Sequence, residues 1–176
     1  LTVDPDMPEV ADIFTTSQYR EYAAFANGTV HFGPRFDLTF GGRYSRNKQF
    51  ADQGGTGLLA PEALTSTSAE NVFTWSGSGK YKLSDNATIY ARVAKGFRPG
   101  GPNLLPPGAP AGTPYSYQSD TLISFEFGVK AETADRSFAI DAAAFHIDWT
   151  DIQLFTVING FGVNANGGEA EGDGFQ

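Results

Sequence analysis

In four separate segments the chain changes polarity at every second residue, and no other feature limits its fold as tightly. Phe36, Leu38, Phe40, Gly42 and Tyr44 alternate with Asp37, Thr39, Gly41, Arg43 and Ser45. Phe73, Trp75, Gly77, Gly79, Tyr81 and Leu83 alternate with Thr74, Ser76, Ser78, Lys80 and Lys82. Ala87, Ile89, Ala91 and Val93 face away from Thr88, Tyr90 and Arg92, and Ile123, Phe125, Phe127 and Val129 from Ser124, Glu126, Gly128 and Lys130. Successive strand side chains point to opposite sides of a sheet, so each segment has one apolar and one polar face. Tyr22–Phe32 follows the same rule with Phe25 out of phase, and Phe138–Trp149 follows it until the pattern slips through Ala142, Ala143, Ala144 and Phe145. A seventh strand is expected from Phe161 onward.

The connections sort by length. Gly33-Pro34-Arg35, Ser84-Asp85-Asn86 and Thr133–Arg136 are short and rich in turn formers. Ala51–Asn71 and Arg98–Asp120 are long, polar, and full of Gly, Pro, Ser and Thr. Strands are therefore expected near residues 20–32, 36–49, 72–83, 87–97, 121–131, 137–153 and 161–176, with long loops at 50–71 and 98–120. Long structureless loops are uncommon in compact domains, yet here they recur at one end of the hairpins only. Tight turns at one end and long loops at the other are the layout of an antiparallel, up-and-down outer-membrane barrel, with the long loops extracellular. The segments have the length of a tilted membrane-crossing strand, with aromatic residues near their ends, as interfacial girdles require. A soluble β-sandwich also alternates, but it must fill a dry core, and faces mixing Gly, Ala and Phe fit lipid more easily.

Composition agrees with strands and turns: 14% of residues are aromatic and 21 are glycine. No apolar run is long enough for a membrane-crossing helix. A net charge of -8 argues against nucleic acid as a partner. Without cysteine there is no disulfide framework and no thiolate metal site. The chain begins at Leu1 and stops inside a patterned segment, so both ends are expected to be cuts in a longer barrel.

Four segments resemble, in order, the barrel of TonB-dependent receptors, the active-transport barrels of Gram-negative outer membranes. They are Phe36–Ser45, Ile89–Gly101, Phe125–Lys130 and Ala143–Gln153, with Asn164–Ala170 similar to the start of the next strand. The resemblance implies about twenty-two strands in the whole barrel. It also implies an N-terminal plug and a box contacting TonB, neither visible in this sequence. Such receptors import ferric siderophores, cobalamin, haem or oligosaccharides. The expected surroundings are outer-membrane lipid and lipopolysaccharide, the latter sharing divalent cations with acidic loops. A porin-like channel or an adhesin remains the alternative within the same fold.

Catalytic signals are weak, and the chain is not expected to be an enzyme or to carry a cofactor or metal. Gly77-Ser78-Gly79-Lys80 lacks the leading glycine and trailing hydroxyl of a phosphate loop. His31 and His146 show no ligand spacing, and Asp148 with Asp151 reads as a solvated strand end. Arg43, Arg92, Glu126 and Lys130 are expected to face the barrel lumen. The candidate ligand site is the loop Arg98–Asp120, through Arg98, Asn103, Tyr115 and Tyr117, because arginine and tyrosine suit anionic aromatic ligands such as ferric catecholates.

Overall fold

The computed structural model describes residues 12–58, 62–106 and 109–176. Eleven strands follow in order: β1 (Asp12–Phe32), β2 (Phe36–Thr56), β3 (Leu64–Ser84), β4 (Ala87–Arg98), β5 (Gly101–Pro102), β6 (Ser116–Tyr117), β7 (Asp120–Glu132), β8 (Ala139–Thr150), β9 (Gln153–Ile158), β10 (Phe161–Asn166) and β11 (Glu169–Phe175). Seven of them form one antiparallel sheet in the order β1-β2-β3-β4-β7-β8-β11. The chain walks across it by hairpins, and β5 with β6 and β9 with β10 are small ladders inside the long connections.

The register sorts the faces. Phe32, Phe36, Tyr81, Ile89 and Val129 are successive cross-strand partners, and Val30, Leu38, Gly79, Ala91 and Phe127 form the next row. Among the described residues no second layer covers this apolar face: Phe40 is 59% exposed and Phe127 58%. A sandwich would have covered these rings, whereas a barrel wall leaves them to lipid. On the opposite face Arg43 lies across from Phe25 and Thr74, Arg92 from Ser78 and Glu126, and Lys130 from Thr88 and Asp141. Glycine on this face makes room for rings: a side chain at Gly128 would collide with Tyr90, and one at Gly174 with Phe145.

Four expectations change. β1 begins at Asp12 rather than near residue 20. β2 and β3 run far into the expected 50–71 loop, pairing out to Gln53 and Leu64. The outer end of β3 carries Thr and Ser on both faces, and that of β2 has polar Asn47, Lys48, Gln49, Asp52 and Gln53 on both, so polarity does not alternate there although the ladder continues. β8 ends at Thr150 rather than 153, where Asp151 takes a left-handed φ of 56°. The seventh sheet strand is β11, starting at Glu169, while Phe161–Asn166 folds back on β9. Asn159 and Gly160, with φ of 53° and 86°, make the two-residue reversal that matches the twist of a hairpin.

The slip in β8 has a structural counterpart. Past Ala144 its polarity inverts: Phe145 and Trp149 join the otherwise polar face opposite Glu126 and Leu122, and His146 and Asp148 join the apolar one. There His146 bonds Asp148 and Asp173 at 2.9 and 2.7 Å.

Candidate functional site

The deepest burial lies at the loop end of the sheet, not at its centre. Val163, Asn47, Asp120 and Ser45 are the largest fully buried side chains, and Leu105 is 7% exposed. The β4–β7 loop leans back over the polar face of β2 and β3, and the β9–β10 hairpin packs against it.

Carboxylates and amides fix this arrangement by satisfying loop backbone groups that would otherwise be buried unpaired. Arg98 ends β4 directly opposite Asp120, the first residue of β7. The Asp120 carboxylate accepts the Arg98 backbone N–H at 3.2 Å and its Nε and Nη2 at 3.1 and 2.5 Å. The guanidinium also lies 5.5 Å from the Trp149 ring centre. Glu70 on β3 spans the two ends of the loop, accepting the N–H of Gly100 at 2.8 Å and of Ser119 at 3.1 Å. Gln49 donates to the Gly100 carbonyl. At Gly100 any side chain would overlap the backbone of Tyr117 and Gln118, so the loop passes here only as glycine.

The hairpin clamps the loop from the other side. Asn103 donates to the Pro114 and Asn164 carbonyls at 2.9 and 2.8 Å and accepts the Asn164 N–H at 3.0 Å. Asn166 both accepts from and donates to Gln118, at 2.7 and 2.8 Å. Gln153 donates to the carbonyls of Arg98, Pro99 and Gln118. Asn159 reaches Thr113 Oγ1 at 3.0 Å.

The four loop candidates are thereby divided. Arg98 and Asn103 are engaged in holding the loop, and Tyr117 packs its hydroxyl beside Gly101. Tyr115 is 50% exposed, and its carbonyl, not its ring, accepts from Asn103 N. Of the polar-face group, Arg43 pairs with Glu21 at 2.7 Å and Lys130 with Asp141 at 2.6 Å. Arg43 and Arg92 border one cavity of about 390 Å³ with Phe25, Thr74 and Ser76. Glu126 lies across the ladder from Arg92. Glu70, Asp120, Gln153 and Asn166 escape sequence reading, because nothing local marks a side chain that bonds backbone 30 or more residues away. Asn159-Gly160 is different: Asn-Gly between two short strands is a direct hairpin signal.

At the other end of the sheet the turn after β7 is self-contained. Asp135 accepts from Thr133 Oγ1 at 2.6 Å and from Ser137 N and Oγ at 3.2 and 2.8 Å. These donors, the Thr133 hydroxyl first, hold its carboxyl down at about 2.

Known proteins share this architecture. Residues 2–176 match the family described as TonB dependent receptor-like, beta-barrel. The pesticin receptors of Yersinia enterocolitica and Yersinia pestis are 30% identical over 173 residues, 98% of this chain and 25% of theirs. The ferric yersiniabactin uptake receptor FyuA from Yersinia pestis superposes with a TM-score of 0.77 at 29% identity, over 97% of this chain and 25% of that one. The ferric-catecholate import receptor Fiu from E. coli K12, at 18% identity, shares the fold with a TM-score of 0.71 over 92% of this chain and 25% of its own. The chain thus spans about a quarter of the length of these relatives, and it belongs to the TonB-dependent receptor β-barrel family.

Proposed function

We propose that this chain is the wall and part of the mouth of a receptor that imports a scarce ligand, such as a ferric siderophore, with energy from TonB. Its place is the outer membrane of a Gram-negative bacterium. The observation that carries the reading is the stapled mouth. Two long connections are bound together above a polar face, in a chain whose relatives are receptors rather than enzymes. The loops then face outside, the polar face lines the lumen, and the apolar face meets lipid. Plug and TonB contacts belong to other parts of the parent protein.

Within the mouth, Tyr115 is the side chain left open to a ligand, with Arg98, Asn103 and Tyr117 setting the loop that presents it. The cavity beside Arg43 and Arg92 lies on the lumen wall below and suits an anion on its way inward.

The test is growth of an iron-starved strain whose own receptors are deleted, expressing the parent protein and supplied with ferric yersiniabactin or a ferric catecholate. Growth on one of them that disappears when tonB is deleted is expected. Tyr115→Ala should raise the concentration needed without lowering the amount of receptor in the membrane. Permeation that persists without TonB would identify an open channel instead.

A further inference from the structure

Asparagine followed by glycine is the dipeptide most prone to lose its side-chain amide, because no Cβ shields the next backbone nitrogen. The chain carries three such pairs, Asn27-Gly28, Asn159-Gly160 and Asn166-Gly167. The fold treats them differently. Asn27 and Gly28 lie within the β1–β2 ladder, opposite Gly41 and Phe40, where the backbone is held extended. Gly167 donates its N–H to the Ile152 carbonyl at 2.9 Å, and the Asn166 side chain bonds Gln118 twice and the Asp151 carbonyl once. Nitrogen and amide reach one another there only after those bonds break.

Asn159-Gly160 is open where the other two are closed. Both residues are exposed at the tip of the β9–β10 hairpin, outside the ladder. Among the described residues the Gly160 N–H finds no acceptor, and the space that a Gly160 Cβ would take is empty to 4 Å. The Asn159 amide nitrogen donates to the Thr113 hydroxyl at 3.0 Å and to the Ala111 carbonyl at 3.4 Å. The nitrogen that departs in a deamidation therefore already touches a hydroxyl, on a buried residue of the β4–β7 loop.

We infer that Asn159 is a self-modification site, at which the hairpin tip converts its own asparagine to aspartate or isoaspartate with Thr113 as proton donor to the departing nitrogen. The Gly160 nitrogen gives its proton to solvent hydroxide and attacks Cγ of Asn159 with the freed electron pair. The Cγ–Nδ2 bond breaks, and Nδ2 leaves as ammonia with a proton that Thr113 supplies and regains from water. Water then opens the cyclic imide at one of its two carbonyls. No oxidant or reductant enters, and no ligand or TonB is needed, so the site is independent of the transport reading.

The product changes the mouth. A carboxylate replaces the amide, and it has no proton to donate to the Ala111 carbonyl. Isoaspartate also adds a methylene to the backbone of a two-residue reversal in which Asn159 and Gly160 both hold positive φ. The hairpin tip comes free of the loop, while the bonds of Asn103 to Asn164 and of Asn166 to Gln118 still hold its base. Newly made receptors thus carry a stapled tip and older ones a loosened tip.

The experiment holds the purified full-length receptor in detergent at mildly alkaline pH and follows each asparagine by peptide fragmentation, where deamidation replaces NH by O. Asn159 should convert at least about tenfold faster than Asn166, whose reaction waits on breaking hydrogen bonds each worth about fivefold in opening. The rate should rise with pH, since the Gly160 nitrogen must first lose its proton. Receptor unfolded in urea should convert all three pairs at similar rates, a comparison that needs no variant to fold. Thr113→Val, of equal shape, should slow Asn159 in the folded receptor and not in the unfolded one. The Thr113 N–H is bonded to the Pro110 carbonyl, and Asn159→Asp should make its hydrogen exchange about fivefold faster, as for one lost hydrogen bond. Equal rates at the three pairs in the folded receptor, or conversion of Asn166 ahead of Asn159, overturns the site. An unchanged Asn159 rate in Thr113→Val overturns the proton donation, and unchanged exchange in Asn159→Asp overturns the loosening.

Discussion

Glu70 holds both ends of the β4–β7 loop, so replacing it with alanine tests whether the mouth is rigid because of that one carboxylate. Its two oxygens accept the N–H groups of Gly100 and Ser119, the entry and exit of the loop. A hydrogen bond to a charged group contributes about 1.5–3 kcal/mol, which puts the pair between about 3 and 6 kcal/mol. Glu70 is half-buried and water replaces part of the loss, so the lower end, about 3 kcal/mol, applies. At tenfold per 1.4 kcal/mol, local opening of the loop becomes about 100-fold more populated. Amide hydrogen exchange of the parent receptor in detergent reads this directly. Protection at Gly100 and Ser119 should fall by that factor, while Thr39 in the β2 ladder stays unchanged. Glu70→Gln should give an intermediate loss, since one oxygen remains and the new amide presents a donor to a donor. Protection that falls less than about threefold in the alanine variant would mean that the Asp120 and Asn103 contacts hold the loop unaided.

Two further perturbations probe the wall and the turn. Phe127→Lys places a cation on the outward apolar face, and the parent should lose about 2–4 kcal/mol in urea unfolding from bilayers; an unchanged midpoint would show that this face does not meet lipid. Asp135 has a folded value near 2, below the ordinary carboxylate value, so its contribution to the turn is complete above about pH 4 and lost as pH falls through about 2. Its side-chain carbon resonance should titrate with a midpoint near 2, and a midpoint near 4 would mean that the Thr133 and Ser137 contacts do not form in solution.

How much of this was legible in the sequence depends on which force shaped each part. Where the wall crosses an apolar layer, lipid on one side and a polar lumen on the other impose alternation, and β2, β4 and β7 are readable from Phe36, Ile89 and Phe125 onward. Outside that layer both faces are polar, so the ends of β2 and β3 look like loop although Thr65 bonds Asp52 across the ladder at 2.8 Å. In β8 the outside inverts: Trp149 turns inward to meet Arg98, and His146 turns outward to its carboxylates. The mouth is illegible for another reason. Its contacts join Gln49, Glu70, Asn103 and Asn164 across long separations, and polar residues in a Gly- and Pro-rich loop carry no period. Arginine and tyrosine in such a loop suggest a ligand, but only the folded loop separates the side chain that holds it, Arg98, from the one that is half exposed, Tyr115.

The distribution of burial bears on what this segment needs in order to fold. Among the described residues, the buried apolar side chains are Ala51, Val72, Leu105, Ala143 and Val163, too few to offset the ordering of a chain this long. Among the described residues no strand pairs with the outer side of β1 or of β11. The sheet's stability must therefore come from outside itself, from lipid against the rows of Phe40 and Phe127 and from flanking strands against both edges. The mouth is different. Leu105 and Val163 pack there under a network of carboxylate and amide bonds that owes nothing to lipid. The wall is thus made by its surroundings and the mouth by its own sequence, so loop residues can vary while the conditions for closing the barrel stay untouched.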